Sequence, residues 1–90
     1  MSEEETSRLV RVLVVDDSSF MRLALTRILQ SDPGLQVVGC AQDGQQALDM
    51  TAELDPDVIT MDVAMPRMNG LEALRILMAN APRPVIMVSS

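Results

Sequence analysis

The chain lacks several residue types that usually carry chemistry. Its 90 residues include no histidine, lysine, tryptophan or tyrosine, and only one phenylalanine, Phe20, and one cysteine, Cys40. Without histidine, neither a histidine-based zinc site nor a serine triad with a histidine base is expected. A single cysteine cannot form an internal disulfide, and no apolar stretch reaches the roughly 18 residues of a membrane helix. We therefore expect a reducing cytoplasmic environment and no membrane insertion.

The charge of the chain is strongly acidic. Thirteen acidic residues stand against 7 arginines, which gives a net charge of -6. Because the phosphates of nucleic acids and the headgroups of anionic lipids repel such a chain, we expect no nucleic-acid partner. Residues 3–5 are acidic where a secretory signal needs basic residues. We expect residues 1–10 to be a flexible acidic tail and residues 11–90 to form one domain with an aliphatic core.

Hydrophobic periodicity predicts four strands that alternate with three helices. The strands are predicted at residues 12–15, 36–41, 58–61 and 85–88. The first helix is predicted over 19–30, the second around Ala47, Leu48, Thr51 and Leu54, and the third with Leu71, Leu74, Leu77 and Met78 on one apolar stripe. Cys40 falls in the second strand, where we expect it to be an inert core residue.

Strict alternation of strands and helices predicts an α/β fold with a doubly wound parallel sheet and helices on both faces. We expect the flavodoxin-like strand order 2-1-3-4, in which the first and third strands are neighbours. In sheets of this kind, the functional crevice lies outside the carboxyl ends of the strands, at the point where the strand order reverses.

Three aspartates fall at that edge of the predicted sheet. Asp16 and Asp17 follow the first strand, and Asp62 follows the third and precedes the loop of residues 65–70. Two carboxylates about 4 Å apart repel by roughly 4 kcal/mol at an effective dielectric near 20, so a cluster of three calls for a cation. Oxygen ligands without imidazole or thiolate indicate Mg²⁺. Beside such an ion, Asp62 is the natural nucleophile toward phosphorus.

The remaining charged residues give weaker indications. Asp43, Asp55 and Asp57 lie at predicted turns, where an aspartate is usually a turn residue or a helix cap. Arg67 is a candidate for docking a phosphoryl group or a kinase, although loop arginines are mostly solvated, and the sequence leaves the role of Arg22 equally open.

Together these residues resemble the receiver domain of bacterial two-component response regulators. The resemblance is carried by residues 14–18, by Asp62, by the 65–70 loop and by Ser89 after the fourth strand, and it spans residues 11–90. It implies a phosphorylation-dependent signalling switch in which Asp62 accepts a phosphoryl group from a histidine kinase.

The resemblance also implies a ligand set for the metal. Asp17 and Asp62 would bind Mg²⁺ directly, Asp16 through water, and the backbone carbonyl of Ala64 would complete the protein ligands. Ser89 would be the switch hydroxyl that moves toward the phosphoryl oxygens, which biases the domain toward a second conformation.

Within this family, residues 32–39, 57–62 and 83–90 look most like the chemotaxis response regulators called protein-glutamate methylesterases. That likeness implies a chemotaxis histidine kinase as phosphodonor and a C-terminal methylesterase output domain. Because a serine triad needs a histidine base, methylesterase chemistry cannot reside in this chain, and the receiver catalyses only its own phosphorylation and dephosphorylation. The receiver of a DNA-binding response regulator is the nearest alternative.

The sequence departs from the receiver pattern in two places. Receivers carry a lysine after a fifth strand, whereas this chain has no lysine and stops at Ser90. We expect a receiver truncated after its fourth strand, whose open edge a partner chain or a domain swap would cover. Ala64 stands where many methylesterase receivers carry an acidic side chain, so we expect an altered lifetime of the phosphorylated form.

Two further alternatives belong to other functional classes. A Mg²⁺-dependent phosphatase of the haloacid dehalogenase type also uses an aspartate nucleophile at the end of a strand, but it needs a second aspartate at the position of Ala64. A purely structural interaction domain would be unaffected by millimolar Mg²⁺.

Overall fold

The computed structural model describes residues 8–88, which fold into four strands and three helices in alternation. In chain order these elements are β1 (Val10–Val15), α1 (Ser19–Gln30), β2 (Leu35–Ala41), α2 (Gly44–Leu54), β3 (Val58–Asp62), α3 (Gly70–Asn80) and β4 (Val85–Val88). Every element expected from the sequence is present, with strand ends shifted by one or two residues. Residues 1–7, 89 and 90 lie outside the described residues, so the predictions made for them, including the role of Ser89, stay predictions.

The strands form one parallel sheet in the order β2-β1-β3-β4, as the sequence predicts. β1 pairs with β3 in a register that sets Val14 opposite Thr60 and Val15 opposite Met61. The next residue on each strand is an aspartate, Asp16 or Asp62. The register therefore brings the two carboxylates to adjacent positions at the carboxyl edge of the sheet.

The main core lies between the sheet and the pair α2 and α3. Its sheet side is formed by alternate residues of β1 and β3, and its helical side by small and aliphatic residues. The cluster comprises Leu13, Val15, Ala41, Ala47, Ile59, Met61, Met65, Ala73 and Leu77. α1 packs on the opposite face, where the Thr26 hydroxyl lies 3.5 Å from Cys40 Sγ. Helices thus cover both faces, as predicted.

Two details of the predicted packing are wrong. On α3, Leu77 is buried, but Leu71 and Met78 are 57% and 41% exposed, and the other buried residues are Gly70 and Ala73. Small residues face the sheet because they allow close approach of the helix, and helical periodicity alone does not reveal that choice. Cys40 is exposed rather than buried, because β2 is an edge strand.

Side-chain caps fix the start of each helix. Ser18, Asp43 and Asn69 accept hydrogen bonds from the backbone N–H groups of Met21, Gln46 and Glu72, at 3.3, 2.8 and 2.9 Å. These bonds satisfy N–H groups that have no partner within the helix. Asp43 is thus the cap that the sequence suggested.

The α2–β3 connection is held by two arginines at the amino edge of the sheet. Arg83 donates to the carbonyl oxygens of Pro56 and Ala81 at 2.7 and 3.0 Å and forms a 3.0 Å ion pair with Asp55. Arg11 donates to the Leu54 and Asp55 carbonyls from the other side. Asp55 ends α2 with a left-handed φ of 49°.

None of the helices within residues 8–88 combines the length and the hydrophobicity needed to cross a bilayer.

Candidate metal centre

The structure brings together the three aspartates that the sequence singled out. One carboxylate oxygen from each of Asp16, Asp17 and Asp62 lies within 4.8 Å of the other two. Asp16 and Asp62 are buried, with 1% and 2% exposure, whereas Asp17 is exposed. The cluster therefore combines two buried carboxylates with one that a solvated ion can reach directly.

Asp16 is held in place by contacts on both sides of its Cα atom. Its N–H donates to the Ala41 carbonyl at 3.0 Å, and its own carbonyl accepts a 2.8 Å bond from Arg22 Nη1. Its Oδ1 accepts a 2.9 Å bond from the Ser18 N–H. Its Oδ2 is buried and has no hydrogen-bond partner among the described residues. One carboxylate oxygen thus anchors the side chain and the other is left for a ligand.

The electrostatics of the cluster disfavour three negative charges. Burial raises the pKa of the Asp16 carboxyl above its ordinary value of 3.8, and the charges of Asp62 and Asp17 add to the rise. The Ser18 N–H opposes this change in pKa because it stabilises the carboxylate. A cation near the three oxygens would remove the repulsion.

Mg²⁺ fits this donor set. It prefers hard oxygen ligands, is commonly bound through one or two carboxylates, and fills its remaining positions with water and substrate oxygens. A buried carboxylate oxygen without a hydrogen bond is costly, so Asp16 Oδ2 supports the presence of a ligand at this position. Asp16, Asp17 and Asp62 are the residues that would hold the ion.

The end of β3 is in direct contact with the start of α3. A Cβ atom at Gly70 would overlap the carbonyl oxygen of Asp62 and would lie 3.0 Å from its carbonyl carbon. The Gly70 N–H donates to the Val63 carbonyl at 2.9 Å. A glycine is therefore required here for close approach of the helix to the strand that carries Asp62.

The β3–α3 loop turns sharply at Arg67, whose φ is 67°. The Met68 N–H donates to the Pro66 carbonyl at 2.8 Å, which closes a three-residue turn with an uncommon conformation for a non-glycine residue. The loop packs against α2, since a Cβ atom at Gly44 would lie 2.7 Å from the Met68 carbonyl. Ala64 is exposed in this loop, and the ligand role of its carbonyl stays a prediction.

Sequence reasoning missed two contacts made by arginines. Arg67 lies 3.7 Å from Asp43, but its side chain is 74% exposed, so this ion pair contributes little. Arg22 reaches the Asp16 carbonyl from α1. A possible sequence signal was the position of Arg22 four residues after the cap Ser18, because long helical side chains lean toward the helix N-terminus.

Comparison with known proteins agrees with this geometry. Residues 12–90 match the family described as the response regulator receiver domain. The protein-glutamate methylesterase/protein-glutamine glutaminase of Thermotoga maritima is 58% identical over 85 residues, which are 94% of this chain and 25% of that protein. The chain thus spans about a quarter of the length of that relative.

Solved structures show the same fold. The response regulator domain of Thermotoga maritima CheB has a TM-score of 0.90 and 58% identity, covering 92% of this chain and 62% of that one. A chain from the CheX–CheY–BeF3–Mg²⁺ complex of Borrelia burgdorferi has a TM-score of 0.85 and 33% identity, covering 97% of this chain and 66% of that one. These matches do not favour the alternatives of a DNA-binding regulator or a phosphatase. The chain belongs to the response regulator receiver domain family, and within it is similar to the receivers of chemotaxis methylesterases.

Proposed function

We propose that Asp62 is the phosphoacceptor of a Mg²⁺-dependent switch that regulates a chemotaxis methylesterase. The observation that carries this proposal is the convergence of three carboxylate oxygens within 4.8 Å at the carboxyl edge of the sheet, with Asp16 Oδ2 buried and unsatisfied among the described residues. The position of Asp62 as the last residue of β3 fits the role, because functional sites of sheets of this kind lie at the carboxyl ends of the strands.

The proposed reaction is transfer of a phosphoryl group from a phosphohistidine. A carboxylate oxygen of Asp62 attacks phosphorus, the P–N bond breaks with its electron pair going to the imidazole nitrogen, and an aspartyl phosphate forms. Mg²⁺, when bound, neutralises charge on the transferring group. The anchoring of Asp16 by the Ser18 N–H limits the motion of one carboxylate during this step.

The remaining ligand assignments belong to the same proposal. Asp17 and Asp62 would bind the ion directly, Asp16 would bind it through water, and the Ala64 carbonyl would complete the set. The exposure of Asp17 supports its role, since it faces the solvent from which a hydrated ion arrives. Ser89, which directly follows the strand paired with β3, would supply the switch hydroxyl.

The proposed partners follow from the relatives. We infer a methylesterase output domain after the receiver, because the relative of which this chain spans a quarter is named as a protein-glutamate methylesterase. We also infer a chemotaxis histidine kinase as the phosphodonor. The tail expected over residues 1–10 would end before Val10, because Val10 is the first residue of β1 and pairs with Leu35. The receiver would extend from there to residue 90, and the location would be cytoplasmic. β4 is an edge strand within the described sheet, and its uncovered side would be occupied by a following segment or a partner chain.

Phosphorylation by a small donor tests the proposal. The chain, alone and joined to the segment that we propose to follow it, is incubated with acetyl phosphate and MgCl₂, and its intact mass is measured. We expect a gain of one phosphoryl group that disappears in Asp62→Ala and without Mg²⁺. Asp49→Ala is the matched control, because Asp49 is an exposed aspartate of α2 outside the cluster. Absence of modification in both forms would refute the proposal.

A further inference from the structure

The side chain of Arg22 contacts the backbone between two of the clustered aspartates. Arg22 is the fourth residue of α1, and its Nη1 donates to the Asp16 carbonyl oxygen at 2.8 Å. That carbonyl belongs to the same planar peptide group as the N–H of Asp17. Fixing its direction therefore constrains the main chain from which both side chains extend.

Arg22 makes this contact without forming an ion pair to an aspartate. The ion pairs within residues 8–88 are Arg67 with Asp43 and Arg83 with Asp55. A guanidinium bound to the Asp16 carboxylate would compete with a cation for the same oxygen. Because Arg22 binds the carbonyl instead, Asp16 Oδ2 stays available to a ligand.

Three hydrogen bonds together define the position of Asp16. The Ala41 carbonyl accepts from its N–H, the Ser18 N–H donates to Oδ1, and Arg22 donates to its carbonyl. The first two involve only backbone groups of the partner residues, so they survive most side-chain substitutions. The third depends on the side chain of Arg22 and is charge-assisted, which makes it stronger than a bond between neutral groups.

We propose that Arg22 is a positioning residue for the metal centre, which fixes the Asp16–Asp17 peptide group so that the two carboxylates are preorganised for Mg²⁺. This inference rests on the proposed function, because it requires that the cluster bind the ion. Removal of the side chain has two opposing effects on Mg²⁺ affinity. Loss of positioning weakens binding, whereas loss of a positive charge near the cluster strengthens it, so the direction of the measured change distinguishes the two roles.

The test is Mg²⁺ titration by isothermal calorimetry of the wild-type chain and four variants. Arg22→Gln and Arg22→Met remove the charge-assisted donor, and we expect each variant to bind Mg²⁺ about tenfold more weakly. A tenfold loss is the lower end of what is typical when a residue that orients metal ligands is mutated. Arg22→Lys supplies one charged donor and should restore most of the affinity. Arg27→Gln is the matched control, since Arg27 is an exposed arginine of the same helix; its affinity should equal that of the wild type.

A second readout separates positioning from general stability. In ¹⁵N NMR spectra without Mg²⁺, the Asp17 amide resonance should shift in Arg22→Gln and return toward the wild-type position in Arg22→Lys. If the wild type binds Mg²⁺ and the folded Arg22→Gln or Arg22→Met variant binds it equally or more tightly, the inference is overturned and the proposed function stands. A wild type that binds no Mg²⁺ would overturn both.

Discussion

Substitution of Asp16 by asparagine should stabilise the metal-free protein and remove its response to Mg²⁺. Asparagine keeps the shape of the side chain and an oxygen that accepts from the Ser18 N–H, but it removes a buried negative charge. The carboxylate oxygens of Asp16 and the buried Asp62, which lie within 4.8 Å of each other, repel by about 3 kcal/mol at an effective dielectric of 20. The repulsion from Asp17 is left out of this sum because that side chain is exposed and its charge is screened by solvent.

The gain is reduced by the weaker hydrogen bond from Ser18. A hydrogen bond to a neutral acceptor contributes about 1 kcal/mol less to stability than a hydrogen bond to a carboxylate. Subtracting this loss from the relief of repulsion, we expect Asp16→Asn to raise the free energy of unfolding by about 2 kcal/mol in EDTA. The wild type should instead gain about 2.7 kcal/mol when Mg²⁺ is present at 100 times its Kd. Most of that gain should be absent in Asp16→Asn.

Urea unfolding followed by far-ultraviolet circular dichroism measures both quantities, since the chain contains no tryptophan or tyrosine for fluorescence.

The pH dependence of the free energy of unfolding supplies an internal check. Because the pKa of Asp16 is raised above 3.8 in the native state, the native state binds the proton more tightly than the unfolded state. The destabilisation of the native state by the ionised Asp16 carboxylate is therefore complete above the raised pKa. It is relieved as the pH falls toward 3.8, because the carboxyl becomes protonated. The advantage of Asp16→Asn should therefore shrink on acidification. A variant less stable than the wild type in EDTA would refute the reasoning.

Four other substitutions, arranged as two matched pairs, test the surrounding structure. Gly70→Ala should destabilise the protein by about 1–3 kcal/mol and weaken Mg²⁺ binding, because the added Cβ meets the Asp62 backbone. Its control is Gly34→Ala, whose Cβ would meet only the Asp32 side chain, at 3.3 Å. In the same urea and calorimetry assays, this control should be tolerated. Arg83→Met should cost about 1–3 kcal/mol in urea unfolding, because two carbonyl oxygens lose a charged donor. Asp55→Asn should cost less than about 1 kcal/mol, because the Asp55 side chain is 87% exposed and asparagine tolerates the left-handed conformation. Equal costs for Arg83→Met and Asp55→Asn would show that the ion pair, rather than the carbonyl contacts, fixes this connection.

The sheet and the convergence of the aspartates could be predicted because they depend on local patterns and on general rules of connection. Alternating strands and helices leave few topologies, and in one of these Asp16 and Asp62 must end neighbouring strands. The contact between Arg22 and the Asp16 carbonyl could not be predicted in this way, since periodicity does not indicate where a long side chain finds its acceptor.

Burial on the helices was also beyond the sequence pattern. α3 rests on the sheet through Gly70, Ala73 and Leu77, so Leu71 and Met78, which lie on a neighbouring stripe of the helix, are turned toward solvent. Which of two adjacent apolar stripes is buried depends on the distance between the helix and the sheet. That distance is set by the smallest residues in the contact, and hydrophobicity scales give those residues little weight.

The missing side chain at Gly70 makes the junction between β3 and α3 mechanically stiff. With bare main chain resting on the Asp62 carbonyl, no flexible group is present to absorb a small displacement of the strand tip. We expect a displacement of that tip to be transmitted to the first turn of the helix. A chemical change at the Asp62 carboxylate would in this way displace α3, a helix of 11 residues.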